Sequence, residues 1–163
     1  MVKKTFLNEK NKKLRKVTLC FLLNKDKVLL GFKKRGFGKG KWNGIGGKPQ
    51  EKETIKKAAI REIKEEVGIS VKNIKRMGKI DFYFKNNPEF NQRVIIFICS
   101  KWKNEPIETD EMRPRWFSVS RLPFKKMWHD DMYWLPKVLS GQKINAWFLF
   151  DENESVIDFK IIS

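Results

Sequence analysis

The 163 residues carry 36 lysines and arginines against 19 aspartates and glutamates, a net charge of +17, and 40% are hydrophobic, including thirteen Phe and six Trp. That balance predicts one domain with its own core under a heavily charged surface, and excludes a multidomain assembly or a disordered chain. There is no apolar run near the roughly 20 residues that cross a bilayer, no secretory signal pattern, and no cysteine or histidine set for a disulfide framework or a zinc site, so a cytoplasmic setting is expected, a nuclear or mitochondrial share being compatible with it.

Residues 1–16 read as a basic tail, with the domain expected over 17–163. VTLCFLL and KVLLGFKK form a predicted hairpin, since β-branched and apolar residues flank the polar turn Asn24-Lys25-Asp26. RGFGKGKWNGIGGK (35–48) has six glycines, which forbid a regular element and let backbone approach a ligand closely. The spacing predicts a helix over 54–67: Thr54 caps it, Ile55, Ala59, Ile63 and Val67 form an apolar stripe, and Gly68 stops it. KRMGKIDFYF and RVIIFICSKW read as strands around the polar loop KNNPEFNQ, and RPRWFSVSRLPF as a strand entering a turn. MWHDDMYWLPKVL reads as a second helical stretch, ended or bent at Pro136, before a closing hairpin of AWFLF, DENES and VIDFKII. Strands alternating with two helices predict an α/β sandwich around a mixed sheet.

The sharpest signal is GKPQEKETIKKAAIREIKEEVGI. Glu62, Glu65 and Glu66 stand at i, i+3 and i+4, which places three carboxylates along one flank of the helix. Like charges this close repel, and a divalent cation offsets the repulsion; oxygen ligands alone favour Mg²⁺, or Mn²⁺, over zinc. An ordinary charged helix face is the competing reading of three such glutamates alone. The wider window fits G-x5-E-x7-R-E-U-x-E-E-x-G-U, with U aliphatic, at Gly47, Glu53, Arg61, Glu62, Ile63, Glu65, Glu66, Gly68 and Ile69. At average residue frequencies this occurs by chance about once in 10⁹ windows. It is the Nudix box, and the chain resembles the Nudix hydrolases. The resemblance implies an α/β/α sandwich whose loop-helix-loop binds Mg²⁺ and cleaves a nucleoside diphosphate linked to another group. It makes Glu53, Arg61, Glu62, Glu65 and Glu66 the catalytic set, with Arg61 pairing Glu53 and with Glu65 or Glu66 near the attacking water. The metal ligands it implies are Glu62, Glu65, Glu66, the Gly46 carbonyl and Glu111.

Outside the box, LLGFKKRGFGKGKWNGIGGK and DEMRPRWFSVSRLPFKKMWHDDMYWLP resemble the animal oxidised-purine nucleoside triphosphatases, a branch of that family, over about 17–136. That resemblance implies hydrolysis of substrates such as 8-oxo-dGTP and 2-hydroxy-dATP to a monophosphate and pyrophosphate, which cleans the nucleotide pool. It places Asn43, Trp128, Asp130 and Asp131 in the base pocket, with Phe82 and His129 counted beside them. Thr18, Lys33 and Phe37 complete the floor and the sugar-facing side, and Ile45, Gly46, Gly47 and Lys48 border the substrate. The residue types suit a purine, which asks for an aromatic slab and polar groups matching its edge, and WHDD offers both. Adjacent buried carboxyls titrate as a pair, and a proton shared by Asp130 and Asp131 would let one site accept oxidised G and oxidised A. His129 also reads as a surface or capping residue. In KNNPEFNQ, Asn91 or Gln92 stands where the animal enzymes place a pocket-wall Met.

The expected partner is a small nucleotide, bound by a monomer, with no membrane. The alternatives are a Nudix hydrolase of capped RNA, a methylated purine triphosphate or a dinucleoside polyphosphate, and a non-catalytic nucleic-acid-binding module drawing on the +17 charge.

Overall fold

Alternate side chains of the central strands belong to two separate apolar clusters in the computed structural model, which describes residues 13–162. Along β1 (Arg15–Asn24) Phe21 enters one cluster while Cys20 and Leu22 enter the other; β5 (Gln92–Cys99) divides Val94 and Ile96 from Ile95 and Phe97 in the same way. A sheet apolar on both faces needs a layer on each side. α1 (Ile55–Val67) supplies one with Ala59, Ile63 and Val67, and α2 (Asp131–Leu139) the other with Trp134, Leu135 and Val138. The expected α/β/α sandwich is the architecture found.

The remaining strands are β2 (Lys27–Lys33), β3 (Trp42–Asn43), β4 (Lys75–Phe84), β6 (Met112–Ser118), β7 (Ile144–Phe150) and β8 (Val156–Ile161). Their order is β3-β2-β1-β5-β4-β7-β8, with β6 paired to β2. The β1–β5 and β4–β7 pairs are parallel and the others antiparallel, so the sheet is mixed. No helix among the described residues is long and apolar enough to cross a membrane.

Several boundaries differ from the sequence reading. β1 begins at Arg15, because Arg15 and Lys16 extend the parallel ladder opposite Gln92 and Arg93; residues 1–12 of the expected basic tail lie outside those described. β5 ends at Cys99, where the Lys101 carbonyl accepts from the Cys99 thiol, and Trp102 turns onto Trp116, centroids 5.6 Å apart. The second helix starts only at Asp131, which leaves Trp128, His129 and Asp130 in the loop before it, and it runs through Pro136 to Leu139. The proline removes only the bond to the carbonyl of Met132, a residue on the exposed side of the helix.

Candidate functional site

α1 begins and ends as its sequence dictates: the Thr54 hydroxyl accepts from Lys57 N–H at 3.2 Å, and Gly68 closes it at φ 74°, a left-handed conformation that glycine adopts without steric cost. On its flank Arg61 gathers the acidic residues. Its Nε and Nη2 donate to Glu53 at 2.8 and 2.9 Å, Nη1 donates to Glu62 at 2.9 Å and Glu65 at 3.1 Å, and Nη2 also donates to the Lys48 carbonyl at 3.0 Å. The Arg61 bonds, with a further one from Gln50 N–H, hold the Glu53 carboxyl down at about 2. The expected pairing of Arg61 with Glu53 is therefore present, and it ties the helix to the loop before it.

Glu66 differs from its neighbours. It is buried, its Oε2 has no hydrogen-bond partner, and burial, followed by the charge of Glu62, pushes its carboxyl up to about 8; Lys33 opposes that shift and Glu111 adds to it. An unpartnered buried carboxylate oxygen amid other acids suits a cation. Glu65 is half exposed, and so is Glu111, whose carboxylate is held by Arg35 at 2.9 Å. Among the described residues no three acidic, histidine or cysteine side chains already converge on one point, since Arg61 and Arg35 draw these carboxylates aside.

The glycine loop is fastened to β1. Thr18 Oγ1 accepts from Gly47 N–H at 3.1 Å and donates to its carbonyl at 3.2 Å, while Thr18 N–H reaches the same carbonyl at 2.8 Å. A Cβ at Gly46 would collide with the Thr18 carbonyl, and one at Gly47 would lie 2.5 Å from Glu62 Cδ, so only glycine lets this backbone pass between strand and acidic helix.

Above this loop opens a cavity of about 550 Å³, with Glu66, Gly46, Gly47 and Lys48 at one part of its wall and Trp128, Asp130 and Asp131 at another. Thr18, Lys33, Phe37, Asn43 and Phe82 also line it, as expected. Phe37 stacks on Phe90 with centroids 4.8 Å apart and meets Trp128 at 5.1 Å, and Lys41 Nζ sits 4.9 Å above the Trp128 ring. Asn43 spends its carbonyl on Gly44 N–H at 2.8 Å, which leaves its amide N–H groups as the donors. Asp130 accepts from Trp134 Nε1 at 2.6 Å, and burial still raises its carboxyl to about 7. Burial and then the charge of Asp130 raise Asp131 further, and its Oδ2 has no partner. Asp130 places no side-chain cap on α2.

Two expected substrate contacts lie elsewhere. His129 is absent from the cavity lining: its Nδ1 accepts from Val156 N–H at 2.9 Å, which ties the loop before α2 to the start of β8. Ile45 is wholly buried in the cluster under α1, its N–H and carbonyl bonded to Cys20, so it borders the loop from within the core. Phe84, Phe90, Gln92 and Phe150 line the cavity and were not anticipated there, apart from Gln92 as one of two choices. Asn91 is excluded from that wall because its Oδ1 accepts from Phe84 N–H at 2.7 Å. The sequence signal for Phe90 was a lone aromatic in a polar loop; Phe84 and Phe150 gave none, since apolar strand residues equally fill a core.

The family profile described as the NUDIX domain matches residues 13–138. The chain is 43% identical over 145 residues to the oxidized purine nucleoside triphosphate hydrolase of Danio rerio, covering 89% of this chain and 92% of that one. It is also 43% identical over 144 residues to the Mus musculus protein of the same description, covering 88% and 92%. Among solved structures the mutator MutT protein from Bacillus halodurans shares the fold with a TM-score of 0.81 at 24% identity, over 91% of this chain and 98% of that one.

Proposed function

The chain belongs to the Nudix family, and from that membership we propose that it hydrolyses oxidised purine nucleoside triphosphates, of the 8-oxo-dGTP and 2-hydroxy-dATP kind, to the monophosphate and pyrophosphate, cleaning the nucleotide pool. The observation that carries this reading is one cavity that joins an aromatic, carboxyl-lined wall at Trp128, Asp130 and Asp131 to the glycine loop and Glu66 of the acidic helix.

At the first wall Trp128 and Phe37 supply ring faces for a flat base. Asp130 and Asp131 meet its polar edge: an ionised carboxylate accepts an N–H, and a protonated carboxyl donates to a ring nitrogen or carbonyl. Adjacent carboxyls whose ionised forms are both disfavoured by burial share a proton as a pair, and a shared proton offers a donor and an acceptor at once. At the other wall Lys33 and Lys48 bring positive charge to the phosphates, and Thr18 keeps the glycine loop close to the acidic helix. Arg61 orients Glu62 and Glu65 from behind while neutralising Glu53.

Nudix hydrolases generally need a divalent metal. Glu62, Glu65, Glu66, Glu111 and the Gly46 carbonyl are the groups that would hold Mg²⁺ or Mn²⁺, and the unpartnered Glu66 Oε2 fits that role. Bound there, the ion supplies neutralisation of the polyphosphate and of the charge that develops on it. Glu65 or Glu66 takes the proton from the attacking water.

The test is steady-state hydrolysis of 8-oxo-dGTP, 2-hydroxy-dATP, dGTP, dATP and a capped RNA with Mg²⁺, products identified and Glu66→Gln as the blank. Oxidised purines should turn over well ahead of their parents and give monophosphate and pyrophosphate. Turnover of capped RNA alone would transfer the chemistry to another substrate, and no turnover at all would favour a binding module.

A further inference from the structure

β8 ends the sheet, and its outer edge pairs with no strand among the described residues. Which backbone groups face outward follows from two bonds. Ile162 N–H donates to the Asn145 carbonyl at 2.7 Å, so even-numbered residues here turn their backbone toward β7. Phe159 N–H is instead held by the carboxylate of its neighbour Asp158 at 2.9 Å, so Phe159, and Ile161 by the same alternation, face the open side.

The edge carries apolar side chains beside one charged pair, Asp158 and Lys160, and a register shift next to Asp158 leaves Ile157 without a partner on β7. Of the six large hydrophobic side chains exposed among the described residues, three are Ile157, Phe159 and Ile162, and β8 contains neither proline nor glycine. β6, the edge strand at the other side of the sheet, carries Pro114 at its centre with Arg113 and Arg115 on either side. Phe159 lies against Tyr133 at 4.7 Å and Phe148 at 5.3 Å, which fixes its ring on the α2 face.

The strand is also complementary to itself. Set antiparallel to a second copy about a two-fold axis through Phe159, it exchanges both backbone bonds with Phe159 of that copy, since this residue faces outward. Asp158 then opposes Lys160, at the closer non-hydrogen-bonded positions where an opposite-charge pair stabilises a ladder. Asp158 and Lys160 are both exposed. Neighbouring registers lose this match: a two-fold axis through Asp158 or Lys160 sets a charge opposite its own kind, and one through Ile157 or Ile161 places Asp158 against Val156 or Lys160 against Ile162.

We propose that the occupant of this edge is a second copy of the same chain, and that the protein forms a two-fold dimer through β8, continuing the sheet from one molecule to the next. On pairing, the bond from Phe159 N–H to Asp158 is exchanged for one to the partner's backbone, and the freed Asp158 carboxylate meets Lys160 across the axis. Two short strands bury less than the roughly 1,600 Å² of a standard interface, so the dimer depends on concentration.

Sedimentation velocity across a concentration series tests this, with circular dichroism to confirm folding. The wild-type chain should shift from monomer to dimer. Asp158→Lys and Lys160→Asp, each of which sets like charges opposite one another, should weaken the dimer at least tenfold, and the double exchange should restore it; Lys137→Asp on α2 should leave it unchanged. A chain that stays monomeric to its solubility limit overturns the proposal, as does a dimer indifferent to the single reversals or a folded double variant that fails to recover.

Discussion

Arg61 grips Glu53 through two hydrogen bonds, at 2.8 and 2.9 Å, while the far nitrogen of the same guanidinium holds Glu62 at 2.9 Å. A planar fork can do this and an ammonium cannot. Arg61→Lys should therefore lower activity, or the apparent affinity for Mg²⁺, by roughly 10–100-fold, the range for groups that orient metal ligands. Circular dichroism should be unchanged, because the apolar stripe of α1 lies on its other flank. Kinetics over a Mg²⁺ series separate the two effects; a variant with wild-type rates at all metal concentrations would show that Glu53 and Arg61 do no more than close the loop.

The Thr18 hydroxyl is buried and wholly engaged with the backbone of Gly47. Thr18→Val keeps the shape and leaves the Gly47 N–H without its acceptor, a loss of roughly 1–3 kcal/mol. For a chain of this length that lowers Tm by about 2–10 °C, measurable by calorimetry. Gly47→Ala acts on chemistry as well: its Cβ would press on Glu62, a largely buried side chain held by Arg61. Its kcat should fall much further than that of Thr18→Val.

The acidic helix was legible from sequence because its chemistry is local. Thr54, Gly68, Glu53, Arg61 and the glutamates lie within sixteen positions, and one turn of geometry sets their relations. The central strands were legible too, since alternation into two clusters is written along β1 and β5, but β3 (Trp42–Asn43) pairs with β2 inside the glycine stretch that was expected to hold no regular element. The cavity was not legible, because it is assembled from seven separate stretches and its apolar wall uses residues that a core would use equally. Phe84 and Phe150 sit on neighbouring strands β4 and β7, which only the parallel pairing brings together, with rings 5.1 Å apart. His129 misled because proximity in WHDD was read as proximity in space: the loop before α2 turns Trp128, Asp130 and Asp131 inward and His129 toward β8.

Phe37 is 38% exposed, stacked on Phe90 and held on a loop whose glycines at 36, 38 and 40 all take positive φ. A ring left so open adds little to folding, and in the proposed function it covers the base. Phe37→Ala should raise KM by about 5–150-fold, the equivalent of the roughly 1–3 kcal/mol of an aromatic–base stack, with kcat and Tm close to wild type. A fall in kcat at unchanged KM would mean that the ring shapes the transition state and not the bound nucleotide.

The buried carboxyl pair makes stability depend on pH, and the sign follows from the direction of the shifts. Burial raises Asp130 to about 7 and, with the charge of Asp130, holds Asp131 well above the usual carboxylate range, both above the value of about 3.9 of an unfolded aspartate. Across that interval the folded chain binds more protons than the unfolded one, so stability falls as pH rises and stays low beyond the folded values. Glu66, raised to about 8, contributes with the same sign. Asp131→Asn removes one of these buried ionisations and keeps the shape, so its Tm should decline less than that of the wild-type chain between pH 5 and pH 9. The same variant tests the shared proton, since an amide always donates and never ionises. Asp130→Asn and Asp131→Asn should each change the ratio of kcat/KM for 8-oxo-dGTP over 2-hydroxy-dATP, because the two bases ask for opposite arrangements of donor and acceptor. Unchanged ratios in both variants, measured beside the altered Tm profile, would confine the pair to a structural cost and take it out of base selection.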